Sequence, residues 1–517
     1  MSTITQLLCN NFGGIRERNA AFSEELITAQ DLQNVELYYT GTNSGVGIRT
    51  VQGNISINTT LKNSASIIKL FESTQQQEKY FFVYAETTLK GTLYVLNREQ
   101  NTLTTIKDNL SVTGCATGFD IVQGWSDLFF FTNGEEMFTV EMNAIPQGEV
   151  VPRNIVVDMN LLDRDNRTVK GLIAGIYDNR LWIANGNIIW YSVQSNIYDF
   201  ATADGEITTS GGYIELLKNI TAIHEYLGSL AVFFADSSVL ISVSGGDFTV
   251  ADESPGGCAG YNALVFHDTN LYFYDDTKKS VFSFKQVVTG EKTLGENVAV
   301  EVQSLLLNID SSKLDKIQTV SVFMQGRNEI WWILPLGNGN YSTILIYDYL
   351  KGEWVKRKSQ KINSVCVIDS KLYSAGNDGN VLEEYNSSTF NGEFIESYYN
   401  CSPMNLGAMN TLKVLVFPPR ASFDMPYSNQ FYVKYIKNYN TFKKPKVRFI
   451  KSKLKNFLYW GIGRWGINFW ASKNTSSIGK FPSATFKILE ISIYTTKVTE
   501  TFSIKNIEFS KIKVKQV

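Results

Sequence analysis

Histidine is nearly absent from this sequence of 517 residues, which contains only His224 and His267. Neither lies in an HxH or HExxH pattern, so the sequence does not predict a histidine-dependent metal site or catalytic triad. We expect each to be a surface histidine or one whose hydrogen bonds the fold satisfies.

Cysteine is also scarce, and its positions are far apart. The five cysteines are Cys9, Cys115, Cys258, Cys366 and Cys401. No CxxC pair exists, which argues against both a disulfide framework and a structural zinc site. We therefore expect synthesis in a reducing cytoplasm.

Long apolar runs are missing too. No stretch approaches the ~18 apolar residues that a membrane-spanning helix needs, so we expect no membrane span. The N-terminus lacks a basic segment followed by an apolar core, and we expect no signal peptide. Helical periodicity is rare, since the apolar run Ile67–Phe71 is too short to assign.

Nucleotide-binding motifs fail in their context. Ile478-Gly479-Lys480 lacks the other residues of a P-loop, and no GxSxG motif is present. Residues 461–466 match GxGxxG, but aromatic residues surround the glycines and no helical pattern follows. We interpret this segment as a glycine-hinged aromatic turn, and we expect no cofactor and no metal ion.

Acidic residues near glycine-rich turns, such as Asp247, Asp252 and Glu253, could form the carboxylate pair of a glycosidase. The sequence does not determine their separation, and solvated turn acids are the simpler interpretation. We therefore expect no catalytic residues and no enzyme activity. A glycan-binding or glycan-cleaving propeller is the alternative, and a cellular interaction scaffold is a third hypothesis.

Pairs of apolar strands joined by short polar turns recur along the chain. Asn133-Gly134, Asn185-Gly186 and Asp378-Gly379 lie at such turns and are strong hairpin signals, because the turn needs positive φ. The seven hairpins begin near residues 81, 128, 181, 230, 271, 331 and 372, at a mean spacing of about 48 residues. This spacing is typical of four-stranded propeller blades.

The predicted fold class is therefore all-β, a β-propeller of six or seven blades with an additional β platform domain. We place the propeller at 60–402, an N-terminal segment that joins the platform at 1–59, and a basic C-terminal β platform domain at 403–517. Two stacked β-sandwiches with coincidental spacing are the alternative.

Charge is distributed unevenly. Residues 403–517 contain 20 Lys/Arg and 4 Asp/Glu, a net charge of +16, whereas residues 1–402 have a net charge of −18. The densest basic run includes Lys443, Lys444, Lys446 and Arg448. It is either a solvated strand face, a nucleic-acid contact that nearby aromatic residues would support, or a contact with an acidic protein. We predict the protein contact.

The N-terminal motif resembles a known family. Asn11-Phe12-Gly13-Gly14-Ile15, followed by Ala29–Val35 and Gly45–Arg49, is similar to the start of podovirus tail hub and nozzle proteins, including packaged-DNA stabilisation proteins. Ile176–Ala184 and Glu329–Trp332 resemble blade motifs of this family.

The resemblance implies a structural subunit of a phage tail ring below the portal and adaptor, which helps retain and then release packaged DNA. The implied partners are further copies of the chain, six in a ring, other tail or adaptor proteins, and double-stranded DNA that passes without sequence-specific binding. The implied location is the virion tail, after synthesis in the host cytoplasm.

The motif also has a physical interpretation of its own. We expect Asp31 and Asn34 to bond nearby backbone at turns, and Gly13, Gly14 and Gly53 to permit tight bends. We expect Arg49 to tie the N-terminal segment to the propeller.

Overall fold

The structure is a computed structural model of the chain. It describes residues 3–9, 11–16, 26–40, 45–57, 61, 65–73, 80–97, 102–123, 126–141, 156–203, 210–244, 247–286, 292–324, 326–336, 341–404, 411–426, 430–438, 445–451, 457–458, 469–470, 474–498 and 500–515.

The chain divides into two compact units, each formed by segments that are distant in sequence. The propeller unit contains residues 55–344 and 359–384. The platform unit contains residues 1–54, 345–358 and 385–517. The chain thus begins and ends in the same unit.

The first strands belong to the platform unit. They are β1 (Thr3–Cys9), β2 (Asn11–Ile15), β3 (Leu26–Gln33), β4 (Val35–Tyr39) and β5 (Val46–Thr50).

Seven sheets follow, six of four strands and one of five, and they form a seven-bladed β-propeller, which confirms the predicted fold class. The first blade consists of β7 (Ser66–Phe71), β8 (Tyr80–Glu86), β9 (Gly91–Asn97) and β10 (Thr102–Leu110), and the second of β11 (Thr117–Gln123), β12 (Ser126–Thr132), β13 (Met137–Glu141) and β14 (Val156–Asp158). A short strand pair follows, β15 (Leu161–Leu162) and β16 (Thr168–Val169). The third blade consists of β17 (Ile173–Tyr177), β18 (Arg180–Asn185), β19 (Ile188–Tyr191) and β20 (Gly212–Glu215).

The remaining blades are built in the same way. The fourth blade consists of β21 (Ala222–Tyr226), β22 (Ser229–Phe233), β23 (Ser237–Ser244) and β24 (Asp247–Val250), with β25 (Ser254–Pro255) beside β23, and the fifth of β26 (Leu264–His267), β27 (Asn270–Asp275), β28 (Ser280–Gln286) and β29 (Lys292–Asn297). The sixth consists of β30 (Gln318–Met324), β31 (Arg327–Leu334), β32 (Tyr341–Asp348) and β33 (Glu353–Gln360). The seventh consists of β34 (Ile362–Ile368), β35 (Lys371–Gly376), β36 (Val381–Ser387) and β6 (Gly53–Ser56).

The strand β6 closes the propeller. It precedes the first blade in sequence but forms the outer strand of the seventh, beside β36. The Ile57 amide donates to the Val381 carbonyl at 2.9 Å, which continues this pairing. Closing the ring with strands from both ends of the propeller segment leaves no blade incomplete.

Each predicted hairpin forms the second and third strands of one blade, and turn chemistry explains their positions. Gly134 and Gly186 have φ values of +92° and +60° at the turns after β12 and β18. The blades pack through apolar side chains; Phe82 of the first blade stacks on Phe129 of the second at 3.8 Å between ring centroids. Both rings are fully buried, so the core lies between the blades.

Among the described residues, helix is confined to residues 300–316, between the fifth and sixth blades. It consists of the 3-10 turns Val300–Val302 and Ser311–Lys316 and the short helix α1 (Gln303–Leu306). No helix in the described part of the chain is long and apolar enough to span a membrane.

The platform unit contains a curled half-barrel sheet of fourteen strands. In addition to β1–β5 it includes β37 (Tyr398–Cys401), β38 (Leu412–Leu415), β39 (Arg420–Pro426), β40 (Gln430–Lys437), β41 (Lys446–Lys451), β44 (Asn474–Lys480), β45 (Thr485–Phe486), β46 (Leu489–Tyr494) and β47 (Ser503–Lys515), while β42 (Phe457–Leu458) and β43 (Phe469–Trp470) form a separate parallel pair.

N-terminal strands lie inside this sheet, between C-terminal ones. The order of its main path is β41-β40-β46-β37-β3-β2-β5-β47-β38-β45. The N-terminal motif is thus part of a sheet whose other strands come from the last 120 residues or so of the chain.

Candidate functional site

The N-terminal motif makes long-range contacts within the platform unit, to which residues 345–358 in the outer strands of the sixth blade also belong. Asp31 accepts hydrogen bonds from the Lys356 ammonium at 2.5 Å and from the Tyr398 hydroxyl at 2.8 Å. Asn34 has φ +54° and donates to the Glu396 carbonyl at 2.8 Å. The expectation that Asp31 and Asn34 bond nearby backbone is therefore wrong: their partners lie more than 300 residues away in sequence.

The motif glycines permit close packing rather than bends. A Cβ at Gly14 would lie 2.2 Å from the Trp354 carbonyl oxygen, and a Cβ at Gly53 would lie 1.9 Å from the Thr389 carbonyl oxygen. Neither glycine has a positive φ. The sequence identified positions that need glycine, but for another physical reason, because only the fold brings residues 354 and 389 to them.

Arg49 forms an ion pair with Glu36 on the neighbouring strand β4, and its guanidinium lies 5.2 Å from the centre of the Tyr38 ring. The expected tie from Arg49 to the propeller is not what the structure shows. The Arg49 side chain is 47% exposed, so water screens this pair and its contribution to stability is small.

The basic strand β41 lies at one end of the platform sheet and pairs only with β40. Lys446, Arg448 and Lys451 are exposed on it, together with Val447 and Phe449, which are 50% and 62% exposed. Lys443 and Lys444 lie outside the described residues. An edge strand with exposed cationic and apolar side chains can receive an acidic partner or a further strand.

Both histidines lie on the inner strands of the propeller. His267 is buried, and its ring nitrogens contact the Ser321 hydroxyl at 2.7 Å and the Asn328 amide oxygen at 2.5 Å. His224 stacks on Phe266 at 5.8 Å between ring centroids. Burial lowers the pKa of both imidazoles, which favours their neutral forms at pH 7.

The acidic candidates for a glycosidase pair, Asp247, Asp252 and Glu253, are all exposed. Asp247 begins β24, whereas Glu253 shares Lys218 with Asp236. Hydrogen bonds from Lys218 lower the pKa of both carboxyl groups, Glu253 and Asp236. A general acid of a glycosidase needs the opposite, a raised pKa.

Metal and nucleotide chemistry finds no support in the part of the chain that the structure describes. In that part, no group of three or more His, Cys, Asp or Glu side chains is placed to hold a metal ion. All five cysteines are free. The GxGxxG segment at 461–466 lies outside the described residues.

The first strands of most consecutive blades contact each other, so these strands surround the propeller axis. The chain enters every blade at one end of the axis, and the turns between second and third strands lie at that end too. We call this end the entry face. It is where side chains from different blades meet.

Lys69 of β7 reaches across the axis at the entry face. Its ammonium donates to the Asn262 amide oxygen before β26 and to the Gln318 amide oxygen at the start of β30, both at 2.6 Å. A bulge in β7 at Ile68 lies beside it, since Ile67 pairs with Ala85 and Lys69 with the preceding Tyr84. Desolvation lowers the pKa of Lys69 to about 8.

Lys69 was missed by sequence reasoning, although a signal was present. A lone lysine in the apolar run Ile67–Phe71 is unusual, because burial of an ammonium costs free energy. Only the propeller shows that its partners come from the fifth and sixth blades.

A cavity of about 570 Å³ opens on the entry face. Its charged lining residues are Lys313, Lys316, Lys361 and Asp315. Its uncharged polar and apolar lining comes from Ser66, Ile68, Gly114, Gln318, Ile333, Leu334, Pro335, Leu336, Ser342, Ile362, Asn363 and Asn377. Cationic and amide groups thus face a partly apolar space of a size that small ligands occupy.

No family model matches the chain, and no curated protein does. Several solved structures are similar at low identity. The computationally designed Ika8 protein is 14% identical with a TM-score of 0.36, and the match covers 65% of this chain and 99% of that one. Hsv2 of Kluyveromyces lactis is 10% identical with a TM-score of 0.30, over 57% and 98% of the two chains.

A proposed 6-phosphogluconolactonase from Bacteroides uniformis is 11% identical with a TM-score of 0.34, and the match covers 63% of this chain and 95% of that one. Similarities at this level carry no argument about what the present chain does.

Proposed function

We propose that this protein is a structural subunit of a short-tailed phage tail, in which copies of the chain form a ring that conducts double-stranded DNA. The resemblance of the N-terminal motif to tail hub and nozzle proteins supports the assignment to a phage tail. The observation that carries the assembly role is the basic, partly apolar edge strand β41 (Lys446–Lys451).

Charge supports a contact of β41 with another protein. Residues 1–402 have a net charge of −18, so a second copy or an acidic adaptor offers a complementary surface. Complementary charge steers and aligns association. Tyr435 is buried and cannot stack on a nucleic-acid base, which leaves Phe449 as the exposed aromatic residue of this strand pair among those described.

The DNA path would run through the hole of the ring and not along the propeller axis. Lys69 donates hydrogen bonds to both Asn262 and Gln318 across that axis. The Tyr261 hydroxyl also crosses it to the Ala116 carbonyl at 3.5 Å. Under the proposal, acidic surfaces of several copies line the hole, because a basic wall would bind phosphates and slow the duplex.

We also propose that the protein has no catalytic role. The alternative of a glycan-cleaving propeller needs an acid pair in which one pKa is raised, and the pair that the structure brings together, Asp236 and Glu253, has both pKa values lowered by Lys218.

Sedimentation velocity and electron microscopy of the purified chain, alone and with candidate tail proteins, test the proposal. We expect rings whose assembly weakens as salt rises, because exposed charges are screened beyond about 8 Å at physiological ionic strength. Joint replacement of Lys446, Arg448 and Lys451 by Gln should weaken assembly by about tenfold or more.

The matched control replaces Lys511, Lys513 and Lys515 by Gln, which removes the same charge from exposed positions of the interior strand β47. It should leave assembly unchanged. A chain that stays monomeric at low salt with every partner, or β41 lysines that line the hole of a ring, would overturn the proposed arrangement.

A further inference from the structure

We infer that the cavity on the entry face of the propeller is a binding site for a small organic anion, a carboxylate or phosphate with an apolar body. This inference does not depend on the proposed tail function. It rests on two side-chain amides that line the cavity, those of Gln318 and Asn377. Hydrogen bonds to their oxygens fix how each amide is turned.

Gln318 presents hydrogen-bond donors to the cavity. Its side-chain oxygen accepts from Lys69 at 2.6 Å, and this bond fixes which way the amide is turned. The residue is only 7% exposed and lines the cavity, and the NH₂ group has no acceptor among the described residues. This donor is therefore open to the cavity, where an acceptor of a ligand can reach it.

Asn377 is fixed in the same way. Its side-chain oxygen accepts from the Ser66 hydroxyl at 2.9 Å and from the Asn363 amide at 2.8 Å. The Asn363 amide also donates to the Ile67 carbonyl at 2.8 Å, so the network is anchored to β7. Asn377 is an exposed residue at the turn after β35, so its NH₂ group remains open at the rim of the cavity.

The charges of the lining favour an anion. Three lysines and one aspartate line the cavity; Lys316 is paired with Asp315 at 2.9 Å, and Lys313 is paired with Asp310 at 3.4 Å. Lys361 has no acidic partner in the described part of the chain. The ammonium of Lys69, one hydrogen bond behind Gln318, also bonds only neutral amide oxygens there. An anion in the cavity would thus supply a counter-charge to Lys361.

The size and the remaining lining define the rest of the ligand. A phosphate or carboxylate group fills a small part of 570 Å³. Ile68, Leu334, Pro335 and Ile362 form an apolar wall, which an apolar body would cover. Among the described residues, no aromatic side chain lines the cavity, so they offer no stacking surface of the kind typical of neutral sugar sites.

Two nearly isosteric substitutions separate binding from folding. Gln318→Glu keeps the acceptor for Lys69 and gives that lysine a counter-charge, but it replaces the donors facing the cavity by a carboxylate oxygen. Asn377→Asp keeps the acceptor for Ser66 and Asn363 and makes the same change. The control Asn270→Asp adds one negative charge at the turn before β27, at the opposite end of the axis.

Isothermal titration calorimetry of the full chain with phenyl phosphate, benzoate, inorganic phosphate and benzyl alcohol is the test. We expect phenyl phosphate or benzoate to bind, inorganic phosphate to bind at least about tenfold more weakly, and benzyl alcohol not to bind. Gln318→Glu and Asn377→Asp should each weaken binding by about tenfold or more without lowering the thermal midpoint, and Asn270→Asp should leave binding unchanged.

Two outcomes would overturn the inference. The first is the absence of binding heat with both aromatic anions up to about 10 mM. The second is binding that neither Gln318→Glu nor Asn377→Asp weakens while both variants remain folded. If one variant fails to fold, the other decides, because their hydrogen-bond networks are separate.

Discussion

Lys69 gives the propeller a pH dependence that a substitution can isolate. Its ammonium is desolvated between Asn262 and Gln318, and its pKa is lowered from 10.5 to about 8 in the folded chain. A base with a lowered folded pKa is protonated more in the unfolded chain. Stability should therefore increase as pH rises through the folded pKa towards the unfolded one.

The magnitude follows from the two pKa values. Between about pH 7 and about pH 9.5, the folded chain loses most of this proton while the unfolded chain keeps it, which adds about 2 kcal/mol to the free energy of unfolding. Lys69→Met and Lys69→Arg both remove titration in this range, although methionine deletes the charge and arginine keeps it.

Urea denaturation followed by tryptophan fluorescence measures the difference. Trp182, Trp331 and Trp332 are fully buried in the propeller unit and report its unfolding. The free energy of unfolding of the unmodified chain minus that of either variant should rise by about 2 kcal/mol over the range. A difference that stays constant with pH for both variants would refute the reasoning.

The remaining predictions concern packing and surface charge. Gly14→Ala should destabilise the platform unit by about 1–3 kcal/mol, because the new Cβ would lie 2.2 Å from the Trp354 oxygen, whereas Gly260→Ala, with no atom within 4 Å, should not; equal melting shifts would contradict this. Phe82→Ala should cost the propeller about 3–5 kcal/mol in urea denaturation, against almost nothing for Leu89→Ala, whose side chain is 89% exposed. Arg49→Ala should cost about 1 kcal/mol or less, and a loss in thermal stability of more than about 2 kcal/mol would show that its ion pair with Glu36 matters more than its exposure suggests.

Local signals were sufficient for the blades. Each hairpin consists of two apolar strands around a short polar turn, and both features are encoded within about twenty residues. Gly134, Gly186 and Gly379 have positive φ at three of these turns. Regular spacing then indicated a propeller, because blades bury their faces only against each other. The satisfied state of His267 followed from residue chemistry in the same way.

Long-range partners could not be predicted, even where the important residues were identified. Asp31, Asn34 and Gly14 were singled out, but their partners Lys356, Glu396 and Trp354 come from segments hundreds of residues away. The motif suggested turns, because short polar side chains such as those of Asp31 and Asn34 commonly form hydrogen bonds with nearby backbone groups. In the structure, the hydrogen-bond partners of Asp31 and Asn34 come instead from β33 and from the segment that leads into β37.

The sequence by itself determined the β class, the seven hairpins and the segregation of charge, since each depends on neighbouring residues or on counts. Only the tertiary structure decided that β6 closes the seventh blade and that N-terminal strands lie between C-terminal ones. It also decided that Lys69 meets Asn262 and Gln318 at the axis. The physical reason is that strand pairing and burial join residues by position in space, and no local pattern in the chain records which distant partner they meet.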